Sequence, residues 1–287
     1  MNRKINYIFS MAAILSVLWL SSCDVIEPPY EKNYVPPQDT STYVRNILLE
    51  EYTGFRCGNC PRAAELAASL HKYYGDRIII MRVHAGGYSI PKGTQYSYDF
   101  RNPDGNLYDT FFGNSKAGNP NGLVSRYGYP ADHINSESKW DGVIQQLMAT
   151  KPMMTIELDA TGDESTGGIT IDYKVKYLEG GKQNHNLCLL VLEDSIITYQ
   201  TDYRLTPQDI PEYVHMHVLR GSVNGSWGEP LNEAGIAKGD TFEKQVQYKI
   251  PDGKDWKMKN LSILAYVHDN GATYEVYQVQ QVHVKLK

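Results

Sequence analysis

Residues 49–61 of this chain have the sequence Leu-Glu-Glu-Tyr-Thr-Gly-Phe-Arg-Cys-Gly-Asn-Cys-Pro, in which an apolar segment leads into Cys57 and Cys60. Residues 46–52 have the composition of a buried strand. After the cysteines, apolar side chains recur at the spacing of one helix face: Ala63, Leu66, Ala67, Leu70 and Tyr74. Residues 78–83, Ile-Ile-Ile-Met-Arg-Val, predict a second buried strand. The order strand, CxxC, helix, strand predicts a βαβ unit with both cysteines at the N-terminus of its helix.

The position of these cysteines favours thiol chemistry. Unpaired amide groups and the positive end of a helix dipole stabilise a thiolate, and the neighbouring Arg56 adds positive charge. We therefore expect Cys57, nearer to the helix start, to be the attacking thiolate. Cys60 would then be its resolving partner.

The βαβ unit resembles the thioredoxin fold, and Glu51 carries the resemblance further. It lies six residues before Cys57, where thioredoxin-fold proteins often have a buried acid beneath the disulfide. The resemblance implies that Glu51 accepts the proton of Cys60. One position departs from the family, because Arg56 stands where thioredoxins usually have Trp.

The rest of this region also resembles a thioredoxin-like domain. Residues 118–121, Gly-Asn-Pro-Asn, resemble the loop whose cis-proline faces the cysteine pair, with Pro120 as the first choice for that proline and Pro130 as the second. An amphipathic helix follows, with Trp140, Val143, Ile144, Leu147 and Met148 on one face. The predicted domain covers residues 43–151, with an insertion at about 84–104 that is rich in glycine, tyrosine and asparagine.

Beyond Lys151 the apolar pattern changes to period two, as in Ile169, Ile171, Tyr173, Val175 and Tyr177. Short strands separated by Gly-, Asp- and Asn-rich turns predict an all-β sandwich over residues 152–287. The expected fold class is therefore α/β plus all-β, a thioredoxin-like domain followed by a β-sandwich.

Two histidines on one predicted strand, His215 and His217, are weak candidates for metal ligands. A third ligand of convincing spacing is missing from the sequence around them, which favours structural or surface histidines. A lone CxxC is half of many zinc sites, but the sequence has no second pair. We therefore expect neither a metal nor a cofactor.

The first 22 residues predict an export signal, because Arg3 and Lys4 precede an apolar run at 8–20. The run ends in Leu-Ser-Ser-Cys23, which resembles a bacterial lipobox and implies a lipid-anchored Cys23 as the membrane contact. The alternative is an ordinary secretory signal that contains a cysteine. Residues 23–42 include four prolines among polar residues and predict a semi-rigid tether.

The cysteine segment and residues 213–220, Tyr-Val-His-Met-His-Val-Leu-Arg, resemble the Bacteroidetes lipoproteins of the outer-membrane-protein-twenty-eight family. The resemblance extends over most of the predicted mature chain. It implies a thioredoxin-like domain and an immunoglobulin-like sandwich, anchored by lipid at the outer membrane, with surface and periplasmic orientations both open. It implies no established activity, and the roles proposed for the family include adhesin and receptor.

Two functions follow from these patterns, and the question of enzyme activity stays open between them. In the first, Cys57 and Cys60 catalyse thiol–disulfide exchange on envelope or surface proteins. In the second, the protein is a non-enzymatic adhesin, receptor or scaffold for an unknown surface ligand, and the disulfide is structural. The net charge of -5 gives no basic footprint, so we expect no nucleic-acid partner.

Overall fold

Strands dominate the part of the chain that the structure, a computed structural model, describes, which is residues 43–287. The helices are α1 (Cys60–Tyr74), α2 (Pro103–Phe112), α3 (Asn114–Ala117) and α4 (Glu137–Met148). The strands are β1 (Ile47–Thr53), β2 (Ile78–His84), β3 (Asn121–Val124), β4 (Met154–Asp163), β5 (Gly168–Tyr177), β6 (His185–Glu193), β7 (Ile196–Thr201), β8 (Asp209–His215), β9 (Val218–Ser222), β10 (Glu229–Pro230), β11 (Thr241–Lys249), β12 (Leu261–Asp269), β13 (Val276–His283) and β14 (Lys285–Leu286). The predicted signal segment, the lipid site Cys23 and the tether to residue 42 lie outside the described residues and stay predictions.

The predicted βαβ unit is present as β1, α1 and β2. The two strands are parallel, with Ile47 opposite Ile78, and such pairs need a crossover connection, which α1 supplies. The apolar face of α1 packs with α4 in a core that includes Ala67 and Trp140. The helix ends where Gly75 has a φ of 64°, a backbone conformation that glycine adopts at little cost.

Strands from both predicted domains form one larger sheet, in the order β13-β12-β6-β9-β2-β1-β3, with β10 beside β6. The two regions adjoin at β2 and β9, where Arg82 pairs with Val218. The fold is therefore mixed α/β with a large share of strand. It does not confirm the expected arrangement of a thioredoxin-like domain plus an immunoglobulin-like domain, and the boundary between 151 and 152 stays a prediction.

A smaller sheet, in the order β11-β5-β4-β14, packs against one face of β6 and β12. Ile169, Ile171 and Val175 of β5 alternate with outward-facing side chains and contribute to the apolar layer between the sheets. Leu189 and Val191 contribute from the facing strand β6. The period-two pattern of the sequence therefore reflects a two-sheet packing in this region.

The opposite face of the larger sheet forms a core that both regions share. Its buried residues are Leu48, Tyr52, Ile79, Met81, Val83, Ala85, Tyr108, Phe112, Leu123, Cys188, Leu190, Leu192, Leu219, Leu264, Tyr266, Val276 and Val279. Because these side chains come from both predicted domains, the described chain packs as one unit. None of the helices in residues 43–287 is both long and apolar enough to cross a membrane.

A buried ion pair lies in this shared core. Arg126 and Glu50 are both fully buried, and Nε of the arginine donates to the carboxylate at 2.6 Å. Nη2 also donates to the Tyr266 hydroxyl at 3.0 Å. The guanidinium carbon is 5.0 Å from the Tyr108 ring centre and 4.9 Å from that of Phe112, which adds cation–π attraction. The pair therefore connects β1, the segment after β3, α2 and β12.

We expect Arg126→Met to lower the free energy of unfolding by about 3–5 kcal/mol, because it leaves the Glu50 carboxylate buried without its counter-charge. Urea denaturation at neutral pH measures this loss. Arg62→Ala is the control, since the arginine side chain of its ion pair with Glu137 is 55% exposed and the pair should contribute less than about 1 kcal/mol. Equal losses in the two variants would contradict the prediction.

Candidate functional site

Cys57 and Cys60 form a disulfide at the start of α1, with Cα atoms 5.4 Å apart. A tight turn brings them there from β1: the Cys57 amide donates to the Gly54 carbonyl at 2.9 Å, and the Cys60 amide donates to the Cys57 carbonyl at 3.2 Å. Pro61 lies in the first turn of the helix, where its missing amide proton costs little. The structure therefore places the pair at the helix start, as the sequence predicts.

The disulfide is covered in this structure. Cys57 and Cys60 each have 2% of their surface exposed. Thiol–disulfide exchange requires a thiolate to reach one of the sulfur atoms, so access limits its rate. Two segments bond to the cysteine loop next to the disulfide.

The first cover is a hairpin formed by β7, β8 and the turn between them, residues 196–215, which we call the cap hairpin. Its main chain donates to the cysteine loop twice: Thr201 N–H to the Phe55 carbonyl and Tyr203 N–H to the Gly58 carbonyl, both at 2.9 Å. The side-chain amide of Gln200 donates to the Cys57 carbonyl at 3.0 Å. The hairpin therefore bonds to the backbone that carries the disulfide.

The Tyr203 ring lies directly against Gly58, the residue after the first cysteine. A Cβ atom at position 58 would lie 2.2 Å from Cδ1 of that ring. Any larger side chain at position 58 would therefore require the Tyr203 ring to move.

Arg204 fastens the turn of the cap hairpin to α1. Its guanidinium donates to both carboxylate oxygens of Glu65, at 2.6 and 2.7 Å, and also to Asp202. These bonds lower the pKa of Glu65 and of Asp202 below their ordinary values. Because the guanidinium is partly exposed, each pair contributes modestly to stability.

The second cover comes from the predicted insertion. The amide of Arg56 donates to the Tyr88 carbonyl at 3.2 Å, and its guanidinium donates to the Gly87 carbonyl at 2.5 Å. Gly54 lies so close to this segment that a Cβ atom there would be 2.7 Å from the carbonyl carbon of Tyr88. The structure thus ties Arg56 to the insertion, while its influence on a Cys57 thiolate stays a prediction.

Glu51 is fully buried on β1, and its Oε2 accepts a hydrogen bond from Nε of Arg82 at 2.8 Å. The same arginine donates through Nη2 to the Ala64 carbonyl of α1 at 3.1 Å. The other carboxylate oxygen, Oε1, is buried and lacks a hydrogen-bond partner among the described residues. The burial matches the expectation from sequence, whereas proton transfer from Cys60 to Glu51 stays a prediction.

The peptide bonds before Pro120 and Pro130 are both cis. Pro120 immediately precedes β3, which pairs antiparallel with β1, with Asn121 opposite Tyr52. This is the topological position that the thioredoxin resemblance implies for Pro120. That it faces the cysteines stays a prediction.

The two candidate metal-ligand histidines have separate surroundings. His215 is buried against the Phe100 ring, with ring centres 4.6 Å apart, and its Nε2 lies 3.4 Å from the Tyr199 carbonyl. His217 lies beside Asp194, with Nδ1 3.3 Å from the carboxylate. Within residues 43–287, no three His, Cys, Asp or Glu side chains are placed to hold one metal ion.

Sequence reasoning missed Gln200, Tyr203, Arg204 and Glu65, which hold the cap hairpin over the disulfide. The first three fall within the predicted sandwich at residues 152–287, and Glu65 received no role. The turn of the cap hairpin does carry a local signal, because Tyr203 and Leu205 are large apolar side chains that remain exposed there. That signal does not name the surface that the turn covers.

Comparison with known proteins identifies the family. The family model described as "Outer membrane protein Omp28" matches residues 106–287, more than half of the chain. The chain belongs to the Omp28 family. Membership confirms the resemblance found in the sequence and places this Omp28-family protein at the outer membrane. The matched range begins after Cys60, so the disulfide is known from the structure alone.

Two of the solved structures that match this Omp28-family protein resemble it in fold. HBP35 of Porphyromonas gingivalis is 17% identical, with 85% of this chain and 76% of that chain covered and a TM-score of 0.59. A protein from Agrobacterium tumefaciens is 11% identical, with coverage of 84% and 96% and a TM-score of 0.50. A domain of the outer membrane lipoprotein Omp28 from Porphyromonas gingivalis is 25% identical over 47% of this chain and 91% of that one, with a TM-score of 0.32. No curated protein matches the sequence.

Two buried histidines that pack against each other, His84 at the end of β2 and His215 at the end of the cap hairpin, predict that stability falls in acid. Burial lowers the pKa of His215 to about 3 and that of His84 well below its usual value. In the unfolded chain both titrate near pH ~6.5, so below that pH the unfolded state binds more protons than the folded state. The contribution of these two neutral histidines to the free energy of unfolding is therefore fully present above pH ~6.5 and decreases as the pH falls towards about 3.

We expect His215→Phe to flatten the pH dependence of the unfolding free energy by up to about 1.4 kcal/mol per pH unit between roughly pH 6 and pH 4. Urea titrations at several pH values measure this slope. His283→Gln is the control, because its ring is exposed. The same slope in wild type and His215→Phe would show that the buried His215 ring does not cause the loss of stability in acid.

We expect Tyr203→Ala combined with Arg204→Ala to raise the rate at which a water-soluble phosphine reduces the Cys57–Cys60 disulfide by about tenfold or more, because access limits attack on sulfur. Mass spectrometry after alkylation measures the rate under native conditions. Lys238→Ala, in an exposed ion pair with Glu179, is the control. Unchanged reduction in the double variant would show that the cap hairpin does not protect the bond.

Proposed function

We propose that this Omp28-family protein is a non-catalytic binding scaffold at the outer membrane and that the Cys57–Cys60 disulfide is a structural cross-link. The burial of the disulfide supports this proposal most directly, because each cysteine has only 2% of its surface exposed beneath the cap hairpin and the insertion. A thiolate on another protein has no route to either sulfur while both covers are in place.

The contacts of the cysteine loop support a structural role for the bond. The residue before α1, Asn59, makes no side-chain capping bond, so the disulfide is the covalent restraint at the start of this helix. The loop also offers the carbonyls of Phe55, Cys57 and Gly58 to the cap hairpin. Fixing the loop therefore fixes the surface on which the cap hairpin lies.

Attachment by lipid on Cys23 completes the proposed arrangement. Omp28 from Porphyromonas gingivalis is described as an outer membrane lipoprotein, which supports the interpretation of residues 20–23 as a lipobox. The proline-rich residues 23–42 would hold the folded part away from the bilayer as a semi-rigid spacer. A scaffold exposed at the cell surface in this way has its loops free to bind a ligand.

Thiol–disulfide exchange is the second candidate, favoured by the CxxC at a helix start above the buried Glu51. With the cap hairpin displaced, a partner thiolate would attack Sγ of Cys57, form a mixed disulfide and release the Cys60 thiolate. A second partner thiol would then displace Cys57. The partner would leave oxidised to a disulfide, and the pair would be reduced to two thiols.

Reduction potential and exchange activity together distinguish the candidates. For a structural bond we expect a potential below about -300 mV and no reduction of insulin by the full-length protein. We expect Cys57→Ser combined with Cys60→Ser to lower the free energy of unfolding by about 2 kcal/mol, the chain-entropy value for so short a loop. Cys188→Ala is the control for exchange activity, because it removes a buried free thiol and keeps the disulfide.

Catalysis of insulin reduction or of disulfide isomerisation, abolished by either single serine substitution, would replace the scaffold proposal with exchange. A potential well above -300 mV, near the value of about -200 mV that redox-active pairs have, would also support exchange.

A further inference from the structure

One extended segment of the cap hairpin occupies the face around the disulfide in the manner of a bound peptide. Over residues 200–203 it donates two main-chain hydrogen bonds and one side-chain amide bond to the cysteine loop. The acceptors are backbone carbonyls of Phe55, Cys57 and Gly58. Main-chain pairing of this kind gives affinity for an extended polypeptide, and pockets for single side chains give specificity.

Two side chains of the segment supply the specific contacts. The Tyr203 ring packs on the backbone of Gly58. Because 52% of the surface of Tyr203 remains exposed, the ring covers this face without being enclosed. The guanidinium of the next residue, Arg204, donates bidentate hydrogen bonds to the carboxylate of Glu65 on α1. The face thus recognises an aromatic residue followed by a basic one.

The cap hairpin belongs to neither of the two larger sheets of the described chain. β7 and β8 pair with each other and form a two-stranded sheet apart from the two larger sheets of residues 43–287. The residues at its two junctions, Ser195 and His217, have left-handed backbones with φ of 60° and 57°. A hairpin joined in this way can move as a unit without breaking a sheet ladder, and such junction residues are where hinges form.

We propose that the face around Cys57–Cys60 is a binding site for an extended polypeptide segment with an aromatic residue followed by a basic residue, and that the cap hairpin is its internal occupant. The inference names the partner class for the scaffold role and rests on that proposed function. Binding needs no reduction of the disulfide. Its tests are therefore separate from those of exchange.

An internal occupant competes with any partner. A segment tethered by a short connection has an effective concentration of roughly millimolar, so a free peptide binds the closed protein weakly. Removing the recognition side chains from the tethered copy removes its advantage. A free peptide that keeps those side chains then binds more tightly.

The probe is a fluorescent synthetic peptide with the sequence of residues 198–205, Thr-Tyr-Gln-Thr-Asp-Tyr-Arg-Leu, and the readout is fluorescence anisotropy without reductant. The proteins are the full-length wild type and the double variant Tyr203→Ala, Arg204→Ala, whose altered side chains are both partly exposed. We expect the double variant to bind at least about tenfold more tightly than wild type. The peptide with Tyr203→Ala should bind at least about tenfold more weakly.

A second variant replaces residues 202–208 by Asn-Gly, which suits a two-residue hairpin turn between the paired Thr201 and Asp209. It should also bind the peptide more tightly than wild type. A charge exchange locates the site: Glu65→Lys in the double variant should abolish binding, and a peptide with Arg204→Glu should restore it.

Equal binding by wild type and both variants, or no binding by any of them with folded circular dichroism spectra, would overturn the proposal. So would tight binding that Glu65→Lys leaves unchanged. Failure of this experiment would leave the structural role of the disulfide in place, whereas insulin reduction by the wild type would remove that role without touching peptide binding.

Discussion

The buried pair between Arg126 and Glu50 is the interaction on which the architecture depends. An ionised arginine inside an apolar core is stable only with a counter-charge and further polar or aromatic contacts. This one receives a carboxylate from β1, a hydroxyl from β12 and aromatic faces from α2, with Trp227 also near its guanidinium. Glu50 and Arg126 both belong to the first half of the described chain, whereas Tyr266 and Trp227 belong to the second, so separating the halves would remove this hydroxyl and this ring from the guanidinium.

That shared core determines where the cap hairpin can lie. Arg82 is the residue through which β2 meets β9, and its amide donates to the His217 carbonyl at the end of the cap hairpin. Its side chain also holds Glu51, the acid on the strand that leads to the cysteines. One residue therefore connects the junction of the sheet, the base of the cap hairpin and the buried acid. The closed disulfide follows from how the halves join.

Local features of this fold were predictable from the sequence because they depend on local periodicity. The strands before and after the cysteines and the helix between them lie within about one or two residues of their predicted ends. Burial of Glu51 and the cis bond before Pro120 also agree with the thioredoxin resemblance. Each of these depends on residues that are near neighbours in the chain or on a known family pattern.

The cover over the disulfide was not predictable in the same way. It joins residues 55–58 to residues 200–203, and no periodic pattern specifies which surface a distant hairpin will meet. The merging of both regions into one sheet has the same cause, since it rests on Arg82 opposite Val218. Helix α2 was missed because the glycine- and asparagine-rich composition around it indicates a loop, although Asn102 caps its first turn.

The contact of Tyr203 with Gly58 also limits how this disulfide can be adjusted over evolution. The two residues between the cysteines of a CxxC pair are the nearest places where a substituted side chain could change the acidity of Cys57. Here one of them has no room for even a methyl group. Any lineage that alters the electronic character of the sulfur pair through position 58 must first remodel the tyrosine above it, so the two sites should change together.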